Sequence, residues 1–240
     1  MPEQDNTDKE LILLTERIDE TPDPSKALDD PEGLSAVGGD LSPERLIHLY
    51  SKGFFPWYSD PDPILWWHPK ERCVLQPQHF HESRSLRKAS KKENWSFTLN
   101  QEFQSVMSHC AALREKEGTW ISDDIKQAYQ SLHALGYAHS IEARIDGELV
   151  GGFYGVAMGK VFFGESMFSL CPNASKLALN QFCKFAQEYE IELIDCQVES
   201  DHLLSLGAQL MPRDDFSAAL ARLITTPNKN QFLTNLEAFG

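Results

Sequence analysis

Residues 137–157, with the sequence YAHSIEARIDGELVGGFYGVA, decide the fold class. Two largely apolar runs, 137–145 and 149–157, flank the pair Asp146-Gly147. An Asp-Gly pair between two such runs is typical of a two-residue hairpin turn, because both turn positions need a positive φ. The segment therefore predicts an antiparallel β-hairpin. The glycines of its second run match no phosphate-binding motif and predict a close approach between strands.

Segments with helical periodicity lie on both sides of this hairpin. Residues 101–114 repeat apolar side chains at helical spacing, and Ser122 is placed to cap a helix that Gly136 ends. We predict a long helix over residues 174–189, followed by a short buried strand over 192–198. The shorter predicted elements are strands near 11–14, 72–75, 95–99 and 161–163, and helices near 42–53, 83–92, 201–206 and 214–223. Helices and a meandering sheet in this order indicate an α+β architecture.

A dense aromatic and proline segment, residues 54–69, precedes this region. We expect no regular structure in it, because proline cannot donate to a strand ladder and interrupts helices. We therefore place a domain boundary near residue 71, with a small N-terminal domain over 1–71 and a larger domain over 72–240. The acidic start of the chain, to about residue 26, is expected to be mobile.

The composition is that of an ordinary globular protein, with 41% hydrophobic and 24% charged residues in 240. No run of about 18 apolar residues is present, so we expect no membrane span. The first ten residues are acidic, unlike those of a secretory or transit peptide. Five cysteines without a C-x-x-C pair argue against a disulfide framework or a zinc knuckle and favour a cytoplasmic location.

The charge is strongly negative and unevenly distributed. The formal net charge is −14, and residues 1–32 carry eleven acids against three bases. Such a chain is a poor nonspecific nucleic-acid binder, yet a local basic group can still attract a phosphate backbone. Five positive charges within nine residues form a basic group of this kind, although a solvated helix face has the same pattern. The basic group consists of Arg84, Arg87, Lys88, Lys91 and Lys92.

The candidate for chemistry is Asp195-Cys196-Gln197, at the end of the predicted strand 192–198. Strand alternation places Asp195 and Gln197 on one face, where the carboxylate can orient the amide. The alternative is a pair of polar residues at a strand end that has no catalytic role.

Two other motifs are weak. Ser166 lies in a sequence like a nucleophile elbow, but the second glycine of that motif is missing. His79 and His81 can share a strand face, but no third ligand lies at a metal-binding spacing, so we expect no metal site.

Aromatic residues provide a second candidate site. Tryptophans held on a proline-rich backbone can stack a nucleic-acid base, and each base stacked contributes about 1–3 kcal/mol. Packing in a core between domains is the alternative role for at least half of them. The residues concerned are Trp57, Tyr58, Trp66, Trp67 and Trp120.

Ten blocks of sequence carry a family resemblance. They are 34–43 (LSAVGGDLSP), 53–58 (GFFPWY), 63–67 (PILWW), 80–87 (FHESRSLR), 118–121 (GTWI), 138–142 (AHSIE), 149–157 (LVGGFYGVA), 163–169 (FGESMFS), 173–176 (NASK) and 193–197 (LIDCQ). Together they resemble the bacterial leucyl/phenylalanyl-tRNA–protein transferases over about residues 27–216. The acidic first twenty-odd residues and the segment after about residue 224 depart from the family pattern, so no function is transferred to them.

The resemblance implies an activity and a fold. Members of the family move Leu, Phe or sometimes Met from aminoacyl-tRNA to the N-terminus of proteins that begin with Arg or Lys, which tags them for degradation by the N-degron route. The C-terminal domain is expected to resemble the N-acetyltransferase (GNAT) fold, with a small N-terminal domain particular to the family. No cofactor is expected.

The resemblance also implies roles for individual residues. Asp195 and Gln197 would be the catalytic pair, supported by Glu165. Trp57 and Trp120 would hold the terminal adenosine of the tRNA. The basic group would face the acceptor stem.

Selection of Leu or Phe needs an apolar cavity, whose walls we expect from one helix face and the neighbouring sheet. Ordinary core packing is the alternative for two or three of these residues. The predicted pocket residues are Phe153, Phe162, Met167, Leu179, Phe182 and Ile194.

Two other functions remain open at this point. An acyl-CoA N-acetyltransferase shares the expected fold class, but residues 169–174 lack the glycines of its pyrophosphate loop. A non-catalytic tRNA-binding protein would use the tryptophans and the basic group without needing Asp195 or Gln197.

Overall fold

The computed structural model describes residues 9–113 and 120–226. The strands are β1 (Ile12–Leu14), β2 (Leu34–Gly38), β3 (Phe55–Pro56), β4 (Leu65–Trp67), β5 (Glu71–Leu75), β6 (Trp95–Leu99), β7 (Ala138–Ile145), β8 (Glu148–Met158), β9 (Val161–Ser169), β10 (Leu193–Gln197) and β11 (Gln209–Pro212). The helices are α1 (Pro43–Tyr50), α2 (Arg84–Ala89), α3 (Phe103–Ala112), α4 (Asp123–Ala134), α5 (Ala174–Glu188), α6 (Asp201–Ser205) and α7 (Arg213–Leu223).

The larger sheet has seven strands in the order β11-β5-β10-β9-β8-β7-β6. Neighbouring strands run antiparallel except for the parallel pair of β9 and β10. The predicted hairpin forms the neighbouring strands β7 and β8, in which Ala138 of β7 pairs with Val156 of β8. Asp146 and Gly147 have φ angles of 51° and 88°, as the two-residue turn requires. The hairpin and the mixed α+β class are therefore confirmed.

The predicted close approach of strands is found at Gly155 in β8. A Cβ atom at this position would lie 2.1 Å from the carbonyl oxygen of Phe163 in β9. Only glycine leaves room for the two backbones to approach this closely.

Helices cover both faces of the larger sheet. Helix α5 packs on one face against β7 and β8, whereas α3 packs on the other against β8 and β9. Side-chain alternation divides the core accordingly, so that Phe162 belongs to the cluster with α5 and Phe163 to the cluster with α3.

The smaller sheet has four strands in the order β1-β2-β4-β3. Its residue Trp66 and Leu49 of α1 belong to the same apolar cluster as Val106 of α3 and Tyr129 of α4. The two sheets are thus separate in sequence but share one core. The division into two domains near residue 71 remains a prediction.

The expectation that residues 54–69 have no regular structure is wrong, because β3 and β4 pair there, with Pro56 opposite Trp66. Strand β3 lies at the edge of its sheet, where a proline without an N–H is tolerated.

The start of the chain, which we expect to be mobile to about residue 26, contacts the rest of the fold over part of its length. Ile12 pairs with Ala36 of β2, and Arg213 Nη1 donates to the carbonyl oxygen of Pro24 at 2.7 Å. Residues 1–8 of that stretch lie outside the described residues. The basic helix is shorter than predicted, because α2 ends at Ala89. No helix among the described residues has the length and apolar character needed to cross a membrane.

Candidate active site

A cavity of about 530 Å³ opens beside the end of β10. Small-ligand sites generally have volumes of about 300–1,000 Å³, so this cavity is large enough for a ligand. Five of the six predicted pocket residues line it, and they make its walls largely apolar. They are Phe153, Phe162, Met167, Leu179 and Ile194.

Phe182, the sixth, lies behind the cavity wall. Its ring is 4.6 Å from the ring of Phe162 and 5.5 Å from that of Phe153, measured between centroids. The side chain is fully buried and does not line the cavity. Phe182 therefore supports the wall from the α5 side.

The two predicted adenosine-binding tryptophans, Trp57 and Trp120, both line this cavity. Trp57 is 46% exposed, and its carbonyl oxygen accepts a hydrogen bond from Trp67 Nε1 at 2.6 Å. Trp66, in contrast, is fully buried. The alternative role in core packing therefore applies to Trp66.

Glu165 and Gln197 are brought together by irregularities in two adjacent strands. In β9, Glu165 is the extra residue between Gly164 and Ser166, which pair with consecutive residues of β8. In β10 the register shifts between Asp195 and Gln197. Such bulges re-aim side chains and are frequent next to active sites. Here they turn both side chains into the same cavity.

Gln197 is held at its backbone and at its side chain by different carboxylates. Its N–H donates to Asp195 Oδ1 at 2.9 Å, whereas its side-chain Nε2 donates to Glu165 Oε1 at 2.9 Å. The prediction that Asp195 orients the amide is therefore corrected, because Glu165 holds the amide. Strand alternation fails here because Gln197 has a φ of 64°. This left-handed conformation costs a non-glycine residue about 1–3 kcal/mol.

Asp195 lies beneath the cavity and forms a buried ion pair. Both Asp195 and Arg72 of β5 are fully buried, and Arg72 Nε and Nη2 donate to the two carboxylate oxygens at 2.8 and 2.7 Å. The Arg72 guanidinium is stacked between the rings of Phe55 and Phe216, 4.6 Å from each centroid. The carboxylate of Asp195 does not line the cavity.

Glu165 is enclosed by hydroxyl groups. Tyr50 donates to Oε1 at 2.7 Å and Tyr129 to Oε2 at 3.0 Å, and the two hydroxyls also contact each other. Burial raises the pKa of Glu165 to about 7, although the tyrosine hydrogen bonds oppose this shift. Burial also raises the pKa of both tyrosines well above the ordinary value. The glutamate can thus change its protonation state near neutral pH.

The sequence pattern predicts no site role for Tyr50, Tyr129 or Arg72. Tyr50 and Tyr129 lie in segments predicted only as helices, and Arg72 begins a predicted strand. A buried tyrosine hydroxyl needs a partner, and so does an arginine among the apolar residues of a strand. These requirements indicate that the three side chains have hydrogen-bond partners, but they do not identify those partners.

The basic group lies on and just after α2, outside the cavity lining. All five members are exposed. Arg87 Nε donates to Glu82 at 2.9 Å, and Asn180 of α5 also donates to Glu82. This exposure is compatible with both predicted roles, contact with a phosphate backbone and a solvated helix face.

The cavity offers hydrogen bonds, apolar contact and one carboxyl group, that of Glu165, which with a pKa of about 7 is a weak base. Gln197 is neutral near pH 7, so its contribution is positioning. Among the described residues, no group of three or more His, Cys, Asp or Glu is arranged to hold a metal ion.

Comparison with known proteins gives a family match along most of the chain. Residues 74–221 match the family described as Leucyl/phenylalanyl-tRNA protein transferase, and residues 39–70 match the N-terminal domain of that family. Curated relatives named leucyl/phenylalanyl-tRNA–protein transferase include one from Erwinia tasmaniensis, 52% identical over 86% of this chain and 89% of the relative. Another, from Pseudomonas putida, is 51% identical over 91% of this chain and 97% of the relative.

Solved structures give more distant similarities. L-PGS from Bacillus licheniformis has 12% identity and a TM-score of 0.39, over 62% of this chain and 48% of that one. An aminoglycoside acetyltransferase from an uncultured soil metagenomic sample has 14% identity and a TM-score of 0.36, over 57% of this chain and 91% of that one.

The sequence matches confirm that the chain is an enzyme of the aminoacyltransferase class. The chain belongs to the leucyl/phenylalanyl-tRNA–protein transferase family.

Proposed function

We propose that this chain transfers Leu, Phe or Met from aminoacyl-tRNA to the α-amino group of proteins that begin with Arg or Lys. The added residue would tag these proteins for N-degron degradation in the cytoplasm. The observation that carries the proposal is a single cavity lined by apolar side chains, two tryptophans and the pair Gln197 and Glu165. Family membership supports the transfer of aminoacyl groups from tRNA.

The tRNA end is assigned to two parts of this cavity. We assign the terminal adenosine to Trp57 and Trp120, because a stacked base gains about 1–3 kcal/mol. The aminoacyl side chain is assigned to the apolar wall, where Met167 can adapt its shape to both branched and aromatic groups. An apolar pocket distinguishes similar side chains by only about 1–3 kcal/mol per methylene, which is consistent with acceptance of Leu, Phe and Met.

The proposed chemistry is aminolysis of an ester. The acceptor α-amine has an ordinary pKa of about 7.7–8.0, so a useful fraction is neutral near pH 7. The amine nitrogen forms a bond to the acyl carbon, the ester C–O bond breaks, and one amine proton leaves with the ribose oxygen. Positioning of the reactants can lower the barrier by about 7–11 kcal/mol without a strong base.

Gln197 would position the amine. Since its Nε2 donates to Glu165, its amide oxygen is the end that can accept a hydrogen bond from the α-amine. Asp195 contributes by holding the Gln197 backbone. No cofactor takes part in this scheme.

The basic group is assigned to the phosphates of the tRNA acceptor stem. The acceptor protein has a cationic N-terminus, whose approach the net charge of −14 favours. We also propose that residues 72–240 form the GNAT-like domain and residues 1–71 the smaller domain.

The test is incubation of the protein with tRNA charged with labelled Leu and a peptide that begins with Arg. We expect label in the peptide, and none in a matched peptide whose N-terminus is acetylated. Label that stays on the tRNA would contradict the proposal. Transfer of an acetyl group from acetyl-CoA would instead indicate an N-acetyltransferase.

Variants at Gln197 separate catalysis from binding. Gln197→Ala should lose transfer while it retains aminoacyl-tRNA binding, whereas a tRNA-binding protein without catalysis would show no transfer before the substitution. A Gln197→Glu variant with a faster, pH-independent single-turnover rate would contradict the positioning role.

A further inference from the structure

We propose that Arg72 is a positioning residue for the transfer reaction: through Asp195 it holds Gln197 in its strained backbone conformation, and through Phe55 it supports the wall that carries Trp57. The inference rests on the proposed function, because it assigns a role in the same reaction. Arg72 itself lines no part of the cavity, so it acts through these neighbours.

The first link is the ion pair between Arg72 and Asp195. The guanidinium donates from Nε and Nη2 to the two carboxylate oxygens, at 2.8 and 2.7 Å. Two parallel hydrogen bonds fix the plane of the carboxylate as well as its distance. A lysine at position 72 would keep the positive charge but lose this planar, two-point contact.

The second link joins Asp195 to the backbone of Gln197. Asp195 Oδ1 accepts from Arg72 Nε and also from the N–H of Gln197, at 2.9 Å. Gln197 has a φ of 64°, at the irregular end of β10. A strained conformation persists only when its surroundings hold it firmly. Arg72 provides that restraint by fixing the carboxylate to which the N–H donates.

The third link connects this pair to the cavity wall. The Arg72 guanidinium lies 4.6 Å from the ring centroids of Phe55 in β3 and Phe216 in α7. Phe55 lines the cavity, and Trp57 lies two residues later in the chain. Loss of the guanidinium would therefore loosen the wall and the Gln197 backbone together.

Transfer kinetics provide the first test. With saturating aminoacyl-tRNA, Arg72→Lys should lower the single-turnover rate about 10- to 100-fold, since a displacement of about 1 Å can cost 100-fold. The KM for aminoacyl-tRNA should rise less than the rate falls, because the ligand contacts remain. An Arg72→Lys variant with an unchanged rate would overturn the inference.

Arg213→Lys is the matched control. Arg213 is another largely buried arginine of the same region, and it donates to the backbone carbonyls of Pro24, His68 and Pro69 instead of to Asp195. We expect its single-turnover rate to stay near that of the unaltered protein, even where both variants lose thermal stability. Equal rate losses in the two variants would indicate a general structural effect and overturn the inference.

A neutral pair tests whether Arg72 acts through Asp195, and it leaves no unpaired buried charge. Arg72→Gln combined with Asp195→Asn should lower the rate by less than the product of the two single-variant losses, because both substitutions interrupt the same link between Arg72 and Asp195. Any further loss relative to Asp195→Asn alone measures the contact of Arg72 with Phe55. Rate losses that multiply fully would show that Arg72 acts independently of Asp195 and would overturn the inference.

Hydrogen exchange at the Gln197 amide gives a readout that does not depend on transfer. Arg72→Lys should increase exchange of this N–H, measured on the peptide that contains residues 193–200, and Arg213→Lys should not. Unchanged exchange in Arg72→Lys would overturn the inference whatever the transfer assay gives. Absence of transfer by the unaltered protein would instead overturn the proposed function.

Discussion

Gln197 Nε2 donates to Glu165 Oε1 at 2.9 Å, so the orientation of the amide is set by a carboxyl group that is itself buried. Tyr50 and Tyr129 donate to the same carboxyl from α1 and α4. The side chain of Gln197 is therefore connected through Glu165 to helices α1 and α4. Its backbone is tied separately to Asp195 and Arg72.

The raised pKa of Glu165 predicts a pH-dependent stability. Because burial raises its pKa from 4.5 to about 7 in the folded state, the folded protein holds this proton more tightly than the unfolded chain does. The free energy of unfolding should therefore fall as pH rises from about 4.5 to 7, by an amount on the order of 3 kcal/mol at most. Denaturant unfolding of the protein and of Glu165→Gln measures the difference, which isolates this group. A difference that is constant across this pH range would contradict the assignment.

The two cavity tryptophans should contribute binding energy to the adenosine end. Trp57→Ala and Trp120→Ala should each weaken binding of an aminoacyl-adenosine analogue by about 1–3 kcal/mol, or roughly 5- to 150-fold. Trp95→Ala is the control, because Trp95 stacks on Phe97 and lies outside the cavity lining. Calorimetric titration gives the affinities. Equal effects of all three substitutions would argue against adenine stacking.

The size of the space behind the cavity wall should influence the choice between Leu and Phe. Phe182→Leu removes a ring that supports Phe153 and Phe162, so the wall can recede and favour the larger substrate. The ratio of kcat/KM for Phe-tRNA to that for Leu-tRNA should rise about tenfold.

Phe185→Leu provides the comparison for that substitution. Phe185 is on the same helix and its ring is 6.2 Å from that of Phe182, but it does not line the cavity. In Phe185→Leu the ratio of kcat/KM for Phe-tRNA to that for Leu-tRNA should stay near that of the unaltered protein. An unchanged ratio in folded Phe182→Leu would show that this wall does not set the preference.

The basic group should affect the salt dependence of tRNA binding. Replacing Arg84 and Lys88 by alanine should weaken binding and reduce the slope of log K against log salt concentration by about one per lost phosphate contact. Arg222→Ala is the control, because Arg222 lies on α7 and pairs with Glu192. A slope unchanged by the Arg84 and Lys88 substitutions would indicate a solvated helix face.

Local patterns predicted much of the fold. The Asp146-Gly147 pair predicted the hairpin of β7 and β8, because both residues tolerate the positive φ angles that its turn requires. Ser122 caps α4 as expected, by accepting from the N–H of Ile125. The density of prolines wrongly predicted that the segment around Pro56 has no regular structure. Pro56 is tolerated because β3 is an edge strand, and a strand's place at the edge depends on which strands pair in the fold.

The candidate site could be predicted in its members but not in its connections. Strand alternation predicts that Asp195 holds the side-chain amide of Gln197. At the irregular end of the strand Asp195 instead accepts from the backbone N–H of Gln197, and Glu165 accepts from its side-chain amide. Helical periodicity predicts the helices that carry Tyr50 and Tyr129, but it does not identify the partners of their hydroxyl groups. Contacts between residues far apart in sequence, such as Arg72 with Asp195, arise only from the three-dimensional fold.

A structure with a non-hydrolysable phenylalanyl-adenosine analogue tests the central claim most directly. We predict that its adenine stacks on Trp57 or Trp120, its phenyl ring enters the apolar wall, and its acyl carbon lies close to the amide oxygen of Gln197. An analogue bound outside this cavity, or with its acyl group turned away from Gln197, would contradict the account.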